Sequence, residues 1–167
     1  MADLLWRIAR RPSALDRLGI GARDGGGRWN LPGTAVIYTG ATITIAALEK
    51  LVHIAGVVPA DLVLVRVELP DTYSSERLAL ADLPVDWNAI RPGPGSMGFG
   101  TRWARENRSL VLYVPSVVIP EDLNGVVNPN HPEFDRVNMT IERAFHYDPR
   151  IFGSRTRTRA ARYLRRL

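Results

Sequence analysis

Apolar residues recur along this chain in two rhythms, and each rhythm predicts an element. Leu5 to Ala9 is short and apolar and is closed by Arg10-Arg11-Pro12, which predicts a first strand. Ala35 to Thr39 is a stronger strand. The period then lengthens: Ile45, Leu48, Val52 and Ala55 fall on one helical face, with Gly56 placed for a left-handed cap, so Thr42 to Ala55 is predicted as a helix. Glu49 and His53 lie one turn apart on a flank of that stripe, which lets Glu49 face a cleft. Leu62 to Leu69 alternates and runs apolar like an inner strand, up to Pro70-Asp71.

The second half is less regular. Leu83 to Asn88 is ambiguous, Arg91 to Gly98 predicts a loop, and Phe99 to Asn107 a helix. Leu110 to Val114 is a strand broken by Pro115, Ser116 to Ile119 resumes an extended path, and Asn124 to Pro132 is a polar loop before a last strand, Val137 to Phe145. No repeat appears. Short alternating runs mixed with helical stretches in irregular order predict an α+β fold: one compact domain with a mixed, mainly antiparallel sheet and flanking helices, rather than a doubly wound sheet.

Composition narrows the function classes. A chain of 167 residues with 46% apolar content suits one folded domain. The formal charge of +5 suggests polyanion binding, yet residues 153–167 hold six arginines and no acid, and the rest has 16 basic against 17 acidic residues. The expected division is a near-neutral body, 1–152, and an Arg-rich tail, 153–167, which is either a solvated end or a contact for nucleic acid or an acidic partner. Cysteine is absent, which excludes disulfides, cysteine-ligated zinc and a thiolate nucleophile. His53 and His146 lack partners at metal-ligand spacing, so no metal is expected. No run is long or apolar enough for a secretion signal or a membrane span, so a cytoplasmic protein with no membrane association is expected.

The densest chemistry lies in Gly25-Gly26-Gly27-Arg28-Trp29-Asn30-Leu31-Pro32-Gly33, followed by Val36-Ile37-Tyr38 and the helix carrying Glu49. A guanidinium between two turns can make paired, charge-assisted bonds to a phosphate. Tyr38 at a strand end could stack on a flat ring, and a carboxylate stabilises developing positive charge. Together these suit a nicotinamide dinucleotide cut at its glycosidic bond. Taken singly, Arg28 could be a loop arginine, Tyr38 a packed sheet residue and Glu49 a solvated helix residue. Ser116 sits at a strand kink where it could face a ligand, and Asn128 and Asn130 offer the same hydrogen bond. His131 is balanced between donating to a phosphate or carrying a proton and simply locking its loop.

These residues resemble the RES domain family of NAD-consuming toxins from bacterial toxin–antitoxin pairs. The resemblance runs through Trp6-Arg7-Ile8, Gly26-Gly27-Arg28-Trp29-Asn30, Val36-Ile37-Tyr38, Ala47-Leu48-Glu49, Val114-Pro115-Ser116 and Asn128-Pro129-Asn130-His131-Pro132. Ten residues separate Arg28 from Tyr38 and eleven separate Tyr38 from Glu49, a spacing like the family's. The resemblance implies an ADP-ribosyltransferase-like fold and a catalytic set of Arg28, Tyr38, Glu49 and Ser116. It also implies an NAD-binding set of Arg28, Trp29, Tyr38, Asn128 and His131. NAD is then a substrate rather than a cofactor, with ADP-ribose passing to inorganic phosphate or water, or to a protein target. An Xre-type antitoxin is the implied partner, through which alone nucleic acid would be met, and a homodimer within the complex is compatible with it. The competing class is a non-catalytic module binding nucleic acid through the tail.

Overall fold

The computed structural model describes residues 3–54 and 56–152. Its frame is a seven-stranded sheet of β1 (Leu4–Arg10), β2 (Ile37–Gly40), β3 (Leu62–Glu68), β4 (Ser75–Arg77), β5 (Val111–Pro115), β6 (Leu123–Val127) and β7 (Asn138–Ala144). The strand order is β4-β5-β6-β2-β1-β3-β7; β4 and β5 run parallel and every other neighbouring pair is antiparallel. This is the mixed, mainly antiparallel α+β sheet that the hydrophobic pattern predicts. β3 reads as an unbroken apolar run because it pairs on both sides and is covered on both faces.

On one face, Leu5, Ile37, Val63, Val65, Val67, Val111 and Val127 pack with Phe134 and Val137 of the segment before β7. The opposite face carries two helices, α2 (Ile43–Val52) and α3 (Pro94–Arg105). Ile8, Leu62 and Leu64 meet Ala46 of α2, while Trp29, Val36, Leu112, Val114 and Val126 meet Trp103 and Ala104 of α3. Tyr38 packs at the edge of the α3 cluster, and α2 crosses β1, β2 and β6. The seam between the helices therefore runs over β2 and β6.

Several elements differ from the expectation. α3 begins at Pro94, inside the stretch expected as a loop: proline is accepted at the first helical position because its missing N–H would have no helical partner there. β6 occupies part of the expected polar loop. Its Gly125 is a packing glycine, since a Cβ there would sit 2.8 Å from both Leu5 Cδ1 and Thr39 Oγ1. Residues 116–119 turn rather than extend, because the Ser116 hydroxyl accepts the N–H groups of Val118 and Ile119 at 3.1 Å each. Pro115 ends β5 in register with Leu123 instead of breaking it earlier. The buried positions of α2 are Ile45 and Ala46, and Val52 is exposed. Thr42 caps that helix by accepting from Ile45 N at 3.1 Å, and Gly56, at φ +85°, lies beyond its end rather than on it. A short helix, α1 (Ile20–Gly25), and β4 have no counterpart in the expected layout. Ala55 and the Arg-rich tail lie outside the described residues. Among the described residues no helix is long and apolar enough to cross a membrane.

Candidate active site

Arg28 is presented by a tight turn in which Gly27 and Asn30 exchange backbone bonds, Gly27 N to Asn30 O at 3.0 Å and the reverse at 3.4 Å. Tyr38 locks that turn from below. Its hydroxyl accepts from Trp29 N at 2.9 Å and donates to Asn30 Oδ1 at 2.7 Å. Its ring lies so close to Gly27 that a Cβ there would come within 2.6 Å of the hydroxyl. Asn30 is fully buried and completes the lock by donating to Ala22 O at 2.7 Å and Thr34 O at 2.9 Å. Burial pushes the Tyr38 hydroxyl far above its ordinary pKa, so it is neutral and serves as donor and acceptor together.

Glu49 is half-buried two turns into α2 and reaches across to β6 and the turn after β5. Its Oε1 accepts from Ser116 Oγ at 2.7 Å and from Asn124 Nδ2 at 2.6 Å. Asn124 stands there because the β2–β6 register sets it opposite Gly40, and the β5–β6 register sets it beside Val114. Gly40 lets α2 approach: a Cβ would meet Ala46 N at 2.6 Å. Ser116 is fully buried and its oxygen already accepts two backbone N–H groups, so its one hydrogen is committed to Glu49. Oε2 has no hydrogen-bond partner among the described residues. It is also not among their buried, unpaired side-chain atoms, so it faces solvent.

Arg28, also half-buried, lies within electrostatic reach of Glu49. Burial lowers its guanidinium pKa from the ordinary value, and the negative charge of Glu49, ahead of that of Asp86, partly offsets this. Arginine titrates so high that it stays a cation. Its Nη1 donates to Trp87 O at 2.7 Å and Ala89 O at 2.8 Å.

The structure thus brings Arg28, Tyr38, Glu49 and Ser116 to one seam and does not bring Trp29, Asn128 or His131 into it as side chains. The Trp29 ring is buried in the α3 cluster, edge-on to Phe99. Asn128 is fully buried just past the far end of β6, four residues or about 13 Å from Asn124, where it donates to Ala104 O at 2.9 Å and Asn107 Oδ1 at 3.0 Å. His131 caps the short turn Pro132–Arg136, its Nδ1 accepting Glu133 N at 3.2 Å, which is the loop-locking alternative. Two contributors lie outside the expected site set, Asn124 and Asn30. Asn30 stands within the Gly-Gly-Arg-Trp-Asn run, which was signal enough. Asn124 was only one of several loop asparagines.

The RES domain family model matches residues 4–149. A protein of Sphingobium sp. (strain YBL2) named Prs ADP-ribosylating toxin is 40% identical over 157 residues, covering 90% of this chain and 98% of that protein. A Yersinia enterocolitica protein named Toxin Res is 34% identical over 151 residues, covering 89% and 99%. Among solved structures, the Mycobacterium tuberculosis MbcT–MbcA toxin–antitoxin complex contains a chain matched with a TM-score of 0.60 at 18% identity, covering 91% of this chain and 87% of that one, a likeness of fold. With a match over nearly its whole described length, the chain belongs to the RES domain family.

Proposed function

We propose that this protein is a toxin enzyme that consumes NAD, breaking the nicotinamide–ribose bond and passing ADP-ribose to inorganic phosphate or water. The observation that carries the reading is the Glu49 carboxylate, tied through one oxygen to Ser116 and Asn124 and open through the other, within electrostatic reach of the Arg28 cation. As the C1′–N bond breaks, its electron pair leaves with nicotinamide and the ribose becomes oxocarbenium-like. A fixed carboxylate stabilises that state more than it stabilises neutral ground-state ribose. An acceptor oxygen then forms the new C1′–O bond, and an acceptor water gives its proton to solvent. Arg28 holds the pyrophosphate. Tyr38 holds the turn bearing Arg28, and in this reading the remaining exposed part of its ring stacks on nicotinamide. Ser116 acts through Glu49 rather than on ribose, because its hydrogen is already committed.

Its partner in this reading is an antitoxin of the Xre type; support comes from the toxin–antitoxin complex that shares the fold. One observation favours a second acceptor: the relative at 40% identity is named for ADP-ribosylation. Incubating the purified chain with adenine-labelled NAD, with and without phosphate, separates the outcomes. Labelled ADP-ribose, or its phosphate ester when phosphate is present, is expected in solution. Label fixed on an added protein would favour the second acceptor, and intact NAD throughout would refute the enzyme.

A further inference from the structure

Residues 84–93 form a strap that crosses from the end of a short 3-10 turn to α3, and its construction is not explained by the chemistry at Glu49. Val85 and Ile90 are fully exposed, and among its large side chains only Trp87 packs against the α3 cluster. Two polar anchors fix the backbone on either side of that contact. At one, Asp86 Oδ2 accepts Gly95 N at 2.9 Å and Oδ1 accepts Ser96 N at 3.2 Å, capping α3 from outside the helix. The glycines in Gly93-Pro94-Gly95 make room for this carboxylate: a Cβ at 93 would sit 1.9 Å from Oδ2, and one at 95 would sit 2.5 Å from Oδ1. The second anchor is Arg28. Both Nη1 hydrogens are spent on the strap carbonyls of Trp87 and Ala89, and Nη2 reaches Ile90 O at 3.5 Å.

That leaves the other edge of the guanidinium. Nε has no partner among the described residues and is not among their buried, unpaired atoms, so it is accessible to solvent, and beside it Nη2 makes only the long contact to Ile90, which leaves this edge free to act as a fork. Such a fork matches two oxygens of one phosphate. We infer that the 84–93 strap is a positioning device: it grips one edge of Arg28 and aims the other at a phosphate of the dinucleotide, and Asp86 holds the strap in place. The inference rests on the proposed reading of the seam as a dinucleotide site. Asp86 is a positioning residue, since it acts through the strap and Arg28.

The test is a double-mutant cycle on the full chain, with ADP-ribose affinity measured by calorimetry. Asp86→Ala is expected to weaken ADP-ribose binding about tenfold in the wild-type background and to have little further effect in Arg28→Ala, because coupled residues are not additive. Asp86→Asn, which keeps one acceptor oxygen, should recover part of the loss. Amide exchange across 84–93 is expected to speed up in both single variants without ligand. If Asp86→Ala weakens binding equally in both backgrounds, or not at all while Arg28→Ala does, the strap has no positioning role. If Arg28→Ala leaves affinity unchanged, the open fork and the place of Arg28 in the NAD reading both fall. The two failures are therefore distinguishable.

Discussion

Tyr38→Phe removes a single oxygen and tests how the Arg28 turn is held. That oxygen is the hydrogen-bond partner of Trp29 N, at 2.9 Å, and of Asn30 Oδ1, at 2.7 Å, and both residues are buried. Each buried group left without a partner costs about 1–3 kcal/mol. With some local relaxation the sum is about 2–4 kcal/mol, against a total stability of roughly 5–15 kcal/mol for a domain. At about 2–4 °C per kcal/mol for a chain of this size, the melting temperature should fall by roughly 5–15 °C. Urea denaturation should show a lower midpoint with an unchanged slope, because the surface exposed on unfolding is the same. Because the ring stays in place while the turn loosens, NAD turnover should show a raised KM before any comparable fall in kcat. A variant within about 0.5 kcal/mol of wild type, the range of an ordinary surface substitution, would refute the lock.

Asn124→Ala removes one of the two donors to Glu49 Oε1, each such charge-assisted bond being worth about 1.5–3 kcal/mol, so kcat for NAD should fall tenfold or more with KM little changed; an unaltered kcat would remove Asn124 from the site. Gly100→Ala places a Cβ 2.0 Å from the Trp29 carbonyl oxygen, so the variant should be destabilised by at least about 1–3 kcal/mol even though alanine is the better helix former; a higher melting temperature would contradict that contact. The Ser74 N–H and hydroxyl, at 2.8 and 2.7 Å, hold the Glu133 carboxyl below its ordinary value of 4.5. Its stabilisation is therefore full above that pH and is lost as pH falls through the folded-state value. Glu133→Gln should flatten the acid limb of a stability–pH profile, and an unchanged limb would discount those bonds.

Most of the site that could be read in the sequence is built by one contiguous stretch; Ser116, 67 residues beyond Glu49, entered through its strand-end kink and the family resemblance. Arg28, Tyr38 and Glu49 lie on a turn, the strand after it and the helix after that, so their spacing already encodes their meeting. Asn124 reaches Glu49 only through strand pairing, and its residues read as a polar loop because the Asn-Gly at 124–125 is also a turn signal. Register across a sheet is set by packing partners far away in sequence, here Leu5 and Thr39 around Gly125. The start of α3 was hidden similarly: Pro94 and its flanking glycines look like breakers, while the carboxylate that makes them a helix start comes from Asp86. Local pattern also misjudged which α2 positions are buried. Val52 sits on the apolar stripe but is exposed at the last turn of the helix, while Ala46 beside Ile45 takes the contact.

The central claim is that the free oxygen of a fixed Glu49 carboxylate drives the bond cleavage, and Glu49→Gln tests it most directly. The substitution keeps the size and leaves an amide oxygen to accept from Ser116 and Asn124 while removing the charge. Nicotinamide release under single-turnover conditions and ADP-ribose affinity by calorimetry should be measured on the same preparation. Loss of preorganised charge stabilisation is worth on the order of 10²–10³ in rate, so release should slow by about that factor while affinity stays within roughly threefold. Release at the wild-type rate with unchanged affinity would contradict the account.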